Sequence, residues 1–273
     1  MSAPFTTNSS TTLEQKKYVV AYLEFIDANK KMKNAEDSNR LLQQINNIYE
    51  YIKTVKWRAE KFKFANVETR IFSSNIVLAK QVESGDCNPP HSPRELPPYY
   101  SVAAFAYIFM LESLKNGLFV RGAITLGDFV IDEKFIYGEA LVNAYELEHF
   151  CAIYPRIIVD RKLMDFLQKE HKQDQSLILF ASELDFDGEY FLRFINSSFG
   201  FYSQEEQKDI IEKIGKNIAT ELRKSDNDIQ RRQKFYWIMQ KFNAACDEFD
   251  FSQQKIDFNG EVHPAEKRVI KKC

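Results

Sequence analysis

The sequence predicts an α+β or α/β sandwich in which a mostly antiparallel sheet is covered by helices, and three observations lead there. Short apolar segments pair across tight polar turns, as in Arg70-Ile71-Phe72-Ser73-Ser74-Asn75-Ile76-Val77, the local grammar of a β-hairpin. Apolar residues spaced three and four apart mark amphipathic helices between those strands. Strands and helices then alternate, with hairpins among them, over roughly the first 200 residues. At 273 residues with 44% hydrophobic content, the chain can bury a full core and is long enough for one large domain or one with an appendage.

Taken in order, residues 1–14 form a Ser/Thr-rich polar tail, followed by a strand at Tyr18–Glu24. Leu41, Leu42, Ile45, Ile48, Tyr49, Ile52 and Val55 recur at helical spacing within Arg40–Phe62, which predicts an amphipathic helix packed on the sheet. The hairpin at Phe72-Ser73-Ser74-Asn75 follows. Ser84–Pro98 holds five prolines, too many for regular structure, and reads as an exposed connector or as a lid or interface loop. Tyr99–Leu114 is a second helix, apolar on most sides and therefore more buried. Leu118–Leu126 and Asp132–Tyr137 are expected to pair as strands around a turn at Gly127-Asp128, leading into a helix that Gly138 opens. Pro155–Val159, Ser176–Phe180 and Tyr190–Ile195 read as strands, the last two joined through Asp185-Phe186-Asp187-Gly188. That tetrapeptide resembles the start of a calcium loop but lacks the downstream ligands, so it is read as a simple turn. Gln204–Lys224 and Asp226–Phe249 are two charged amphipathic helices suited to bracing a domain or a dimer interface. The polar tail from Asp250 to Cys273 is expected to fray.

Composition excludes several classes. A net charge of −2 and a pI near 6.2 argue against a general nucleic-acid binder, which would carry a basic face. The longest apolar stretch falls well short of the roughly 20 residues needed to span a bilayer, and the N-terminus has no charged-then-apolar signal, so a cytoplasmic protein without a membrane partner is expected. Cys87, Cys151, Cys246 and Cys273 are widely spaced, with no metal-ligand pattern, which fits free thiols in a reducing compartment. The four histidines are scattered, and none is singled out for catalysis.

The segment Tyr137-Gly138-Glu139-Ala140-Leu141-Val142-Asn143-Ala144-Tyr145-Glu146-Leu147-Glu148 resembles the Gly-to-Leu-Glu segment of class III nucleotidyl cyclases. It looks closest to the bacterial pyrimidine cyclases of anti-phage signalling, the Pycsar type. The strand Tyr18–Glu24 sits where such enzymes carry their first metal-binding acid, and the hairpin at Ser73-Ser74 where they carry the second. The resemblance covers roughly residues 15–200, with 201–273 as a C-terminal helical extension and tail. It implies the α+β class III cyclase sandwich, a homodimer with composite sites, and conversion of a nucleoside triphosphate, plausibly UTP or CTP, to a 3′,5′-cyclic monophosphate and pyrophosphate.

Such chemistry uses Mg²⁺ or Mn²⁺: two ions about 3.5–4 Å apart activate the 3′-hydroxyl and neutralise the triphosphate, and they need hard oxygen ligands. Here Glu24 and Ser74 stand where two Asp residues are expected, and Asp27 is a further candidate ligand. The plainer reading is that Glu24 ends a strand in solvent, Asp27 and Asn29 cap the next helix, and Ser73-Ser74-Asn75 is turn chemistry. Val142 and Glu146 occupy the positions at which the better-known adenylyl and guanylyl cyclases place Asn and Arg. Asn143 and Arg121 are therefore the candidates for catalytic and nucleotide contacts, with Gly138 at the head of the helix, although Arg121 has Glu112 and Glu148 as alternative partners. The competing function is a catalytically degenerate pseudo-cyclase acting as a nucleotide-binding or protein-interaction module.

Overall fold

The computed structural model describes residues 14–58, 67–83, 97–170, 182–195, 199, 202–257 and 259–261. Its centre is the strand β1 (Lys16–Phe25), which pairs antiparallel with β3 (Asn75–Gln81) on one side and with β4 (Val120–Ile131) on the other. Beyond β3 lies β2 (Glu68–Phe72). Beyond β4 come β6 (Ile157–Val159), β8 (Tyr190–Leu192) and β7 (Ser182–Leu184), giving the order β2-β3-β1-β4-β6-β8-β7. The short β5 (Ile136–Tyr137) folds back on β4. Among the described residues only the β4–β6 pairing is parallel, so the expected α+β arrangement, a mostly antiparallel sheet covered by helices, is the one found.

The described α-helices are α1 (Ala28–Lys31), α2 (Ala35–Arg58), α3 (Pro98–Lys115), α4 (Glu139–Cys151), α5 (Arg161–Glu170), α6 (Gln204–Lys224) and α7 (Ile229–Glu248). Alternation along β1 decides which of them lies on which face. Val19, Ala21, Leu23 and Phe25 join a core with Ile45 of α2, Phe109 of α3, Met164 of α5, Ile214 of α6 and Phe242 of α7. Tyr18, Val20 and Tyr22 point the other way and pack with Ala140 and Ala144 of α4. A strand covered on both faces has no polar side, which explains the nearly unbroken apolar run of β1. Each fully buried Val, Leu, Ile or Phe contributes about 1.5–3 kcal/mol, so the Ile face of α6 (Ile210, Ile211, Ile214, Ile218) is a major attachment of the C-terminal helices. A capping box at Ser203 and Glu206 sets where α6 starts. No described helix is long and apolar enough to cross a membrane.

The sequence misleads at three places. Gly127-Asp128 is no turn: β4 runs straight through it, and a Cβ at Gly127 would lie 3.2 Å from Ala140, so this glycine lets α4 approach the strand. The turn falls instead at Asp132, whose carboxylate accepts the backbone N–H groups of Lys134 and Phe135. α5 had no counterpart among the expected elements, although its Leu163, Met164 and Leu167 are all buried. The tail does not fray at once, because Ile256 is buried and held at both backbone groups by the Asn243 side chain. The expected strand at Ser176–Phe180, most of the proline-rich loop and the helix beyond Arg58 lie outside the described residues.

At the far edge of the sheet Arg156 is completely buried and is engaged by Asp185 and Asp187 of the β7–β8 turn. Asp185 also accepts from Trp237 Nε1 at 2.8 Å and lies 3.2 Å from Lys241 Nζ, both on α7. The carboxylates of the Asp185-Phe186-Asp187-Gly188 turn thus serve an internal charge network.

Candidate functional site

Register brings together two residues 97 positions apart. On β1 and β4, Glu24 lies directly across from Arg121, so their side chains leave the sheet on the same face, the one that α4 covers. Arg121 Nη2 donates to Glu24 Oε2 at 2.6 Å and Nε donates to the same oxygen at 3.1 Å. From α4 above, Glu148 places Oε1 2.6 Å from Arg121 Nε. The Nε hydrogen is directed at Glu24, which leaves that Glu148 oxygen buried without a hydrogen-bond donor among the described residues. Glu148 reaches this point because α4 packs Ala140, Ala144 and Glu148 inward at four-residue intervals.

Two carboxyl groups therefore share one guanidinium in a space where Glu148 is 2% and Glu24 19% exposed. Burial pushes the Glu148 carboxyl up to about 7; Arg121 opposes the shift, while the charge of Glu24 and a hydrogen bond shared with it reinforce it. Glu148 thus holds a proton more readily than an ordinary glutamate, whereas Glu24 accepts two hydrogen bonds from Arg121. Tyr22, two residues before Glu24 on the same face, packs edge-on against Tyr145 of α4, and its hydroxyl is pushed up to about 12 by burial, with Glu148 and Glu24 adding to it. Tyr145 in turn stacks on His149. The wall of the site is aromatic and its floor is ionic.

The other candidates fall around this cluster in different ways. Ser74 is 3% exposed in the β2–β3 turn; its carbonyl accepts the N–H of Phe25 at 3.2 Å, and Asn75, its neighbour, lies across from Glu24. Ser73 takes the left-handed conformation that closes the turn. Asp27 also adopts a left-handed backbone, and its carboxylate is drawn away to Arg231 at the start of α7, with Lys30 at 3.3 Å. Asn143 donates to Glu139 Oε1 at 3.4 Å on the outer part of α4 and makes no described contact with Glu24, Arg121 or Glu148. Gly138 serves packing: with φ of 143°, a Cβ there would meet the Asp128 carbonyl oxygen at 2.3 Å. Glu112, one of the alternative partners considered for Arg121, pairs with Lys115 instead. Glu148, the other alternative partner considered for Arg121, is the one the fold brings to it.

These residues do not fit a two-metal centre as they stand. Glu24 is neutralised by Arg121, Ser74 offers a hydroxyl in place of a carboxylate, and Asp27 is committed to Arg231. No group of three or more His, Cys, Asp and Glu side chains suited to a metal ion occurs among the described residues.

No family model and no curated protein matches the chain. Among solved structures it is similar to the adenylyl cyclase CyaB from P. aeruginosa, with TM-score 0.41 and 11% identity over 57% of this chain and 82% of that one. It is similar to the monomeric guanylyl cyclase domain of the RhoGC fusion protein from the aquatic fungus Blastocladiella emersonii, with TM-score 0.40 and 11% identity over 66% and 97%. It is also similar to the catalytic core of a rhodopsin-guanylyl cyclase with converted specificity in complex with ATPαS, with TM-score 0.41 and 13% identity over 66% and 96%.

Proposed function

We propose that this chain is a nucleotidyl cyclase-like protein in which an internal cation has replaced metal chemistry, so that it works as a nucleotide-binding or protein-interaction module. The observation that carries the reading is Arg121. A guanidinium 2.6 Å from the Glu24 carboxylate occupies the place where an ion would have to bind, and burial of Glu148 beside it favours the protonated form of that carboxyl. A divalent ion would have to displace an ion pair that is three-quarters or more buried and would find only a hydroxyl at Ser74 for its next ligand.

A second reading, an active cyclase making a 3′,5′-cyclic monophosphate from UTP or CTP with Mg²⁺ or Mn²⁺, is favoured by one feature: Glu24 and the Ser74 turn lie side by side at the ends of paired strands. In that reading the Pycsar resemblance also supports a role in anti-phage defence, which phage challenge of cells with and without the gene would test. The deciding experiment measures product from each of the four triphosphates with Mn²⁺, scored chromatographically, for wild type and Ser74→Asp. The proposed reading expects no cyclic product from the wild type. Turnover that Glu24→Ala abolishes would refute it.

The assembly reading is a homodimer. What supports it is an exposed apolar surface on and beside α4: Val142, Tyr145, Phe150 and Ile153, with Phe135 from the β4–β5 turn and Tyr137 from β5.

A further inference from the structure

A cavity of about 370 Å³ opens in the helix layer on the opposite face of the sheet from α4, between α1 and α2 on one side and α6 and α7 on the other. Charged groups and amide groups divide its lining. At the charged part, Arg231 joins Asp27 and Glu221, and Lys224 holds Glu221 at 3.0 Å, so these acids are already compensated. Lys31, Arg40 and Asp37 also line the cavity, and none of their charged groups has a hydrogen bond or ion pair among the described residues, so with Asp27 and Glu221 held by Arg231 and Lys224 the lining keeps one more cation than anion. Burial lowers the affinity of Lys31 for its proton, and Lys224 and Arg231 lower it further, against the pull of Glu221 and Asp27. Such a cation is stabilised by an incoming anion.

The amide part gathers at the C-terminus of α3. Gln44 Nε2 donates to the Asn116 carbonyl, Asn116 Nδ2 to the Glu112 carbonyl, and Asn217 Nδ2 to the carbonyls of Leu114 and Lys115. All three amide nitrogens are spent, while the three side-chain oxygens receive no hydrogen bond from a described residue. A cluster of acceptors at the negative end of a helix asks for donors and repels a second anion. Arg40 stands one helical turn from Gln44, and Asn217 one turn from Glu221, so the two parts lie about 6 Å apart. Phe119 and Phe235, packed edge to face, supply the apolar contribution to the lining.

We propose that this cavity is a binding site for a small phosphorylated polyol of the sugar phosphate class, with its phosphate at Lys31 and Arg40 and its hydroxyls on the oxygens of Gln44, Asn116 and Asn217. A bare anion satisfies one part only, and a neutral sugar the other. The site does not depend on the reading of the Glu24 cluster, which lies on the other face of the sheet.

Isothermal titration calorimetry of the full chain tests it with ribose 5-phosphate, glucose 6-phosphate, ribose and inorganic phosphate. At least one sugar phosphate should bind tenfold or more tightly than both ribose and inorganic phosphate. Lys31→Gln and Arg40→Ala should each weaken that binding about tenfold, and Gln44→Ala should weaken the sugar phosphate while leaving inorganic phosphate unchanged. Arg40 is exposed on α2, so its replacement leaves the fold intact, which melting curves check. Inorganic phosphate binding as tightly as the sugar phosphates, no saturable binding at millimolar ligand, or unchanged affinity in folded Lys31→Gln and Arg40→Ala would each overturn the proposal.

Discussion

Replacing Glu148 with Gln should remove a pH dependence of stability that the wild-type protein carries. Glu148 moves from its usual 4.5 to about 7 on folding, because burial against the Arg121–Glu24 pair disfavours its charged form. Between those two values the folded protein holds a proton that the unfolded chain has released. Stability from this group is therefore full below pH 4.5, falls as pH rises through the window, and is lost above pH 7. A shift of this size corresponds to about 3 kcal/mol. Gln keeps the size and an accepting oxygen, offers Glu24 a permanent N–H, and cannot ionise. Urea denaturation at pH 5, 6, 7 and 8 reads the effect: the wild type should lose most of that 3 kcal/mol relative to the variant across the series, with no change in m-value. Parallel pH profiles for the two proteins would refute the reasoning, because they would mean that Glu148 is ionised throughout and that Arg121 outweighs burial.

Three further outcomes are expected. Arg121→Met removes the shared cation and sets Glu24 against Glu148, and should cost about 3 kcal/mol at pH 8 by chemical denaturation and less at pH 5, where Glu148 is neutral. Gly127→Val forces side-chain volume against Ala140 and should cost about 1–3 kcal/mol, read as a lower Tm; an unchanged Tm would mean that α4 is free to shift outward. Light scattering at micromolar concentration should give a dimer, and Tyr145→Glu together with Phe150→Glu should yield monomers if the exposed face of α4 is what holds it.

The parts that the sequence made legible are those whose pattern is local. β1, the β2–β3 hairpin, α3, α6 and α7 each carry their own periodicity and ends, and each appears within a few residues of where that pattern puts it. Gly127 was misread because a glycine beside an aspartate looks alike whether it turns the chain or admits a neighbouring helix; only Ala140 at 3.2 Å distinguishes the two. For α5 a signal existed, since Leu163, Met164 and Leu167 fall on one helical face, but the segment is short and framed by charges. In the site, Glu24 and Arg121 were recognisable as residues and not as partners, because the β1–β4 register that pairs them is a property of the sheet. Asp27 was beyond reach in the same way. Its carboxylate is claimed by Arg231, 204 residues later, and no local rule connects the two.

The network around Arg156 bears on where this protein can be cut. Asp185 has two of its partners, Trp237 and Lys241, on α7, and the apolar faces of α6 and α7 belong to the same core as β1 and α3. A fragment ending near residue 200 would strand Asp185 beside Arg156 with fewer hydrogen bonds, and would open Phe109 and Phe191 to water. The sequence changes character at that point, while Ile214 and Phe242 beyond it share one buried core with Leu23 and Phe109 before it. A minimal version of the sheet would need new side chains at Asp185 and along α3 before it could stand alone.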